Sequence, residues 1–174
     1  QAGQRRAQVE QSLASVERAI MNEIESKAIR VQTNEGLRLL IVTGNALLYI
    51  PDEGGMKVYR LDQYVVKRDP MGNVMEIITR EVINPRILSE NIRSKVLNDR
   101  TNKDEDVELY TRVARSVDGS LWEVSQECNG VELPDSEGTY PIDESPWIAL
   151  RWSSLVGEDY GRGLVEEYLG DLAT

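Results

Sequence analysis

Histidine is absent from this chain of 174 residues, and cysteine occurs once, at Cys128. Without histidine the Ser-His-Asp and Cys-His arrangements are excluded, and the commonest metal ligand is missing. A single cysteine cannot form an internal disulfide, and a lone thiol suits a reducing compartment. Catalysis would have to depend on carboxylates, lysine or tyrosine, so the composition weighs against an enzyme.

Long apolar runs are also missing. The longest are residues 37–42, which Arg38 interrupts, and residues 46–50, whereas a membrane-spanning helix needs about 20 apolar residues. The first ten residues are polar, so we expect no signal peptide and no membrane partner. Position 1 is Gln1 and not methionine, and we therefore expect the sequence to be part of a longer protein.

Positive charge is in short supply. The chain has 30 acidic and 20 basic residues and a net charge of −10. Tight binding to duplex DNA usually needs a basic face. The chain as a whole has the wrong sign to grip DNA, although a negative wall would let a duplex slide past it. The same charge also favours solubility.

Residues 1–45 predict a helical hairpin. In the first helix, expected over residues 4–31, apolar side chains recur at spacings of four, three, four and four, which places them on one helical face. These side chains are Val9, Leu13, Val16, Ile20 and Ile24. We expect a partner helix over residues 34–43 to bury this stripe, with Thr33 or Asn34 as its N-cap and Gly44 as its C-terminal residue.

Residues 46–155 predict a mainly β region with a short helix near residues 85–98. The Asp118-Gly119 and Asn129-Gly130 pairs are strong hairpin signals, and Pro70 with Gly72 marks another turn. The predicted strands are residues 46–50, 56–61, 64–68, 74–80, 107–117, 121–128, 131–133 and 147–152. Their order indicates an antiparallel meander, so the fold class is α+β.

Residues 156–174 predict a glycine-punctuated turn and then the start of a helix that has no apolar partner. Gly161-Arg162-Gly163 resembles half of a phosphate-binding loop. The third glycine of that motif is missing, and Glu166 and Glu167 would compete with phosphate for the helix N-terminus. We interpret the segment as a tight strand-to-helix turn and assign no catalytic residue, metal ligand or cofactor site.

Three stretches of the sequence resemble the portal (head-to-tail connector) proteins of short-tailed bacteriophages. The first contains SVERAIMNEIES at residues 15–26 and GNALLYIP at 44–51. The second contains YRL, YVVKRD and GNV at residues 59–61, 64–69 and 72–74. The third contains GTYP, GEDYGRG and EEYLGDL at residues 138–141, 157–163 and 166–172. Order and spacing follow the family along nearly the whole chain, and the middle, about 84–133, matches mainly in pattern.

The resemblance implies a structural ring subunit. Portal subunits form a dodecamer at one capsid vertex, where the ring docks the terminase, contacts the capsid or scaffold protein and the tail adaptor, and passes double-stranded DNA without reading its sequence. It implies localisation in the virion after assembly in the host cytoplasm. It also implies that residues 1–174 are an internal fragment that covers most of the wing, with the last helix leading toward a stem outside this sequence.

A subunit boundary is expected near the last helix, with Arg162, Glu166, Glu167 and Tyr168 as candidate interface residues. Two other functions stay open at this point. One is a free-standing α+β adaptor that binds other proteins. The other is a carboxylate-based hydrolase, which would need a deep pocket with two facing acids.

Overall fold

A computed structural model describes residues 2–97, 105–134 and 136–172. Its four helices in this part of the chain are α1 (Ala2–Ser26), α2 (Ile29–Thr43), α3 (Glu90–Val96) and α4 (Leu164–Leu172). The strands are β1 (Asn45–Tyr49), β2 (Lys57–Tyr59), β3 (Tyr64–Arg68), β4 (Val74–Ile83), β5 (Val107–Arg115), β6 (Leu121–Cys128), β7 (Val131–Glu132), β8 (Gly138–Pro141), β9 (Trp147–Arg151), β10 (Ser153–Ser154) and β11 (Gly161–Arg162). The predicted α+β class is confirmed.

The helical hairpin bends earlier than predicted. α1 ends at Ser26, and Ala28 adopts a left-handed conformation with φ 52°, after which α2 begins at Ile29. The predicted cap at Thr33 or Asn34 is wrong, because both residues lie inside α2. The predicted end at Gly44 is confirmed: its φ is 75°, and its N–H donates to the carbonyl of Leu40.

The strands form a six-stranded sheet, a three-stranded sheet and a two-stranded ribbon. The large sheet has the order β3-β4-β5-β6-β7, and β8 also pairs with β6. The small sheet has the order β2-β1-β9, and the ribbon joins β10 to β11. All pairs are antiparallel. Asn129 and Gly130 both have positive φ at the β6–β7 turn, as the Asn-Gly signal predicts.

The main core lies between the two sheets. Leu47 and Tyr59 of the small sheet contact a layer of buried side chains on the large sheet. That layer consists of Tyr64, Val66, Ile77, Val113 and Trp122. α2 covers the other face of the small sheet, where Gly36 lies against Leu48 and Val58. The result is a three-layer stack of helix, small sheet and large sheet.

A second core closes the far end of the large sheet. The predicted helix near residues 85–98 is two elements, a 3₁₀ turn at Pro85–Ile87 and then α3, and residue 98 lies outside the described residues. Val96 and Leu97 pack with Val107, Cys128 and Leu133. Cys128 is therefore a buried apolar residue, and burial raises the pKa of its thiol.

Four of the five side chains in the apolar stripe of α1 are exposed, so the prediction that the hairpin buries the stripe is wrong. Val9, Leu13, Val16 and Ile20 are 53 to 63% exposed. α2 contacts α1 and the small sheet, and its buried residues are Gly36 and Leu40. Most of the α1 stripe therefore has no counterpart within the described residues.

The last helix does have a neighbour, which corrects the expectation that it lacks one. α4 lies beside α2. Its apolar side chains Leu164, Val165 and Leu169 are still 38 to 58% exposed. α4 is therefore attached to the layer stack by one side only.

Candidate functional site

The candidate interface residues lie at the entry to α4 and along its first turns. Arg162, in β11, reaches two carboxylates: its Nη2 is 3.4 Å from Glu158 Oε1, and its Nε is 3.9 Å from Glu166 Oε1. The structure thus brings Arg162 and Glu166 together. Both side chains are at least half exposed, so the pair adds little to the stability of the subunit and is available to a partner.

The other two candidate residues, Glu167 and Tyr168, differ in their contacts. Glu167 accepts a hydrogen bond of 2.9 Å from the hydroxyl of Ser153, which ties α4 to β10. Tyr168 is 53% exposed. Glu166 and Glu167 occupy the first turn of α4. Negative side chains at this end of a helix interact favourably with the helix dipole. These residues form an exposed surface that combines charged side chains with one aromatic side chain.

The loop before β11 is clamped to the large sheet, a feature that the sequence analysis missed. Asp159 Oδ1 accepts a 2.7 Å hydrogen bond from the backbone N–H of Arg68, and its Oδ2 accepts one of 3.1 Å from Lys67 Nζ. The backbone N–H of Arg68 and the ammonium of Lys67 hold the pKa of Asp159 below its usual value. The hydroxyl of Tyr160 accepts from the N–H of Val66.

The Arg68 guanidinium completes this clamp. It donates to three backbone carbonyls, those of Asp159, Gly72 and Ala149, at 3.0 Å each. Burial lowers the pKa of Arg68, although an arginine stays protonated at neutral pH. β3, β9 and the loop before β11 are thereby joined through one side chain. The GEDYGRG stretch was the available signal, because its aspartate and tyrosine supply two of the clamp's acceptors.

The two glycines of Gly161-Arg162-Gly163 pack against backbone atoms and leave no open space for a phosphate group. A Cβ at Gly161 would lie 2.5 Å from the carbonyl oxygen of Ser153, and one at Gly163 would lie 2.5 Å from that of Val42. Carbonyl oxygens repel an anion. The local geometry therefore supports the interpretation as a tight turn and gives no phosphate site.

A groove on the outer face of the large sheet bears on the hydrolase alternative. It has a volume of about 570 Å³ and is lined in part by Glu123, Glu132 and Glu137. All three glutamates are exposed, and Arg112, also in the lining, pairs with Glu76 at 2.6 Å. The groove lacks the buried, facing acids that the hydrolase alternative requires. The described side chains contain no group of three potential metal ligands.

A second exposed surface runs along α1. The apolar stripe borders a shallow groove of about 390 Å³. Its lining consists of Arg5, Gln8, Val9, Ser12, Leu13 and Val16. Contiguous exposed apolar area on a helix is typical of a surface that another protein element covers. None of the described helices has the length and apolar character that crossing a membrane would require.

Comparison with known proteins places the whole chain in one family. Residues 1–174 match the family model described as bacteriophage head to tail connecting protein. The chain is 44% identical over 173 residues to the portal protein of Escherichia phage T7, which covers 95% of this chain and 32% of that protein.

Two further relatives give the same result. The portal protein of Enterobacteria phage T3 is 46% identical over 172 residues, with 95% of this chain and 32% of the relative covered. The portal protein of Enterobacteria phage SP6 is 31% identical over 174 residues, with 98% and 33% covered. The chain spans about a third of the length of these curated relatives. It belongs to the bacteriophage head to tail connecting protein family.

Proposed function

We propose that this chain is part of a portal subunit, which assembles with copies of itself into a ring at one vertex of a phage capsid. The observation that carries the proposal is the match of all 174 residues to the connector family, together with relatives that are named portal proteins. The resemblance favours a dodecamer in the virion, assembled in the host cytoplasm. DNA would be packaged and ejected through the ring, and the tail would attach to it.

The proposed place of this chain in the subunit is the wing, the outer flange of the ring. Residues 1–45 supply the helical hairpin, residues 46–155 the mainly β part, and residues 156–174 the start of a helix toward the stem. The exposed apolar stripe of α1 supports this assignment, since a ring subunit needs lateral surfaces that its own fold leaves uncovered.

The charge of the chain agrees with a conduit. A net charge of −10 opposes tight binding of phosphate groups, so DNA would pass without sequence-specific contacts. The subunit would act as a structural part with no bond-making chemistry and no cofactor. Terminase, the capsid or scaffold protein and the tail adaptor are the proposed partners of the complete protein.

A subunit boundary is proposed at Arg162, Glu166, Glu167 and Tyr168. The exposure of the Arg162–Glu166 pair and of Tyr168 supports it. Charged pairs at a protein interface contribute more to the choice and alignment of partners than to the stability of the free subunit.

Charge reversal in the full-length protein tests this boundary. We expect Glu166→Lys combined with Glu167→Lys to reduce the number of rings counted by electron microscopy by about tenfold or more, because the two substitutions invert the charge that this surface presents to a partner. The matched control is Glu53→Lys with Glu144→Lys, which makes the same charge change on two exposed loops. A ring yield equal to that of the control would remove the boundary from this surface.

A further inference from the structure

Three segments of the chain cross at one point, where α2 ends and α4 begins. The backbone N–H of Trp152 donates to the carbonyl of Gly44 at 2.9 Å. β10, which follows Trp152, pairs with β11, which precedes α4. The end of α2, the connection from β9 to β10 and the entry to α4 are therefore hydrogen-bonded to one another.

Glycine is required at this crossing because the backbones approach too closely for a side chain. A Cβ at Gly44 would overlap the backbone of Arg162 and Gly163. A Cβ at Gly163 would lie 2.5 Å from Val42 O and 2.7 Å from Gly44 N, and the neighbours on both sides are backbone atoms that cannot move aside. This close packing explains why glycine occupies both position 161 and position 163, where the structure gives no phosphate site.

Asn45 closes the crossing with a buried side chain. It is 3% exposed. Its Nδ2 donates to the carbonyls of Gly161 and Thr43 at 2.8 Å each, and its Oδ1 accepts from the N–H of Gly161 at 2.7 Å. The amide thus satisfies both polar groups of Gly161 across 116 residues of sequence. This pair of bonds needs a donor and an acceptor on the same side-chain carbon, which an amide provides.

We propose that this crossing is a rigid joint that sets the direction of α4, and that Asn45 is a positioning residue for the surface formed by Arg162, Glu166 and Tyr168. α4 is short and attached by one side, so its direction depends on how its first residue is held. The joint fixes that residue to α2, whose other face lies on the small sheet. The inference rests on the proposed function in one respect, which is that the oriented surface meets another subunit.

Two substitutions in the full-length protein test the joint. Asn45→Asp replaces the donor by an oxygen that faces two carbonyls, and Gly163→Ala introduces a Cβ against fixed backbone. We expect hydrogen exchange of the Trp152, Gly161 and α4 amides to accelerate about 10- to 100-fold, since buried hydrogen bonds are lost or left unsatisfied. Amides of β4 and β5 should keep the wild-type rates. Ring yield by electron microscopy should fall by a similar factor.

The controls make the same chemical changes at sites outside the joint. Asn91→Asp alters an exposed asparagine, and Gly138→Ala adds a Cβ that meets no atom within 4 Å. If Asn45→Asp accelerates exchange throughout the chain, Asn45→Ser, which keeps a smaller polar group, provides the comparison.

The exchange rates test the joint, and the ring yield tests the positioning role. Exchange in α4 that stays at the control rates in both variants would overturn the joint. Faster exchange with a wild-type ring yield would overturn the positioning role. If wild-type protein itself forms no rings, the proposed function fails, and the exchange rates still decide whether the joint exists.

Discussion

Helices α1 and α2 form one hairpin, yet only α2 lies over a sheet. Gly36 and Leu40 of α2 are buried against the small sheet, whereas Val9, Leu13, Val16 and Ile20 of α1 are more than half exposed. Both helices have apolar residues at helical spacing. The difference teaches that periodicity specifies the helix and its apolar face, while burial depends on which other element is within reach.

The largest expected effect contrasts a core leucine with a leucine of the exposed stripe. Leu47 is fully buried between the two sheets, so we expect Leu47→Ala to lower the free energy of unfolding by about 3 kcal/mol. Leu13→Ala should change the free energy of unfolding of the dissociated subunit by less than about 0.5 kcal/mol. Urea unfolding of both variants measures this. Equal losses would mean that the α1 stripe is buried in the free subunit.

The bend between the two helices offers a smaller, stabilising change. Ala28 has φ 52° without a side-chain cap at the start of α2. In the left-handed conformation the Cβ of alanine crowds the following carbonyl oxygen, and glycine has no Cβ. Ala28→Gly should therefore raise the free energy of unfolding by about 0.5 to 1 kcal/mol. Thermal unfolding checks the direction. Ala19→Gly, inside α1, is the control and should destabilise that helix. A loss of stability in Ala28→Gly would contradict the left-handed bend.

The smallest expected effect concerns pH and the Asp159 clamp. The pKa of Asp159 is lowered by the N–H of Arg68 and the ammonium of Lys67. Its contribution to stability is therefore present above the ordinary value of 3.8 and is lost as the pH falls through the lower pKa of the folded state.

Urea unfolding at several acidic pH values, compared between wild type and Asp159→Asn, measures this contribution. The stability difference should shrink as the pH falls below 3.8. The control is Glu10→Gln in the exposed Arg6–Glu10 pair of α1, which should change stability by less than about 0.5 kcal/mol. A difference between wild type and Asp159→Asn that grows with acid would reverse the predicted sign.

Much of the β architecture was predictable from local signals. The bounds of β3 and β6 agree with the sequence prediction, because Asp118-Gly119, Asn129-Gly130 and the Pro70 turn mark where strands must reverse. Gly44 was predictable as a helix end for the same reason. These signals depend on the backbone conformations that particular residue types favour, and so they can be read without knowing the tertiary fold.

The missing features depend on contacts between distant segments. Neither glycine nor proline marks a bend in residues 26–29. The sequence therefore predicts the start of α2 at residue 34, whereas α2 begins at Ile29. The Asp159 clamp and the Asn45–Gly161 pair join residues about a hundred positions apart. The resemblance and the position at the start of α4 are the basis for proposing Arg162, Glu166, Glu167 and Tyr168. Their role as an interface remains a prediction.

The mass of the full-length protein in solution tests the central claim most directly. Native mass spectrometry of purified protein at micromolar concentration should give one closed assembly of many subunits, with a dodecamer as the expected species. Charge reversal at Glu166 and Glu167 should shift the mass toward the single subunit. A wild-type protein that keeps the mass of one subunit at every concentration would contradict the account and favour the free-standing adaptor.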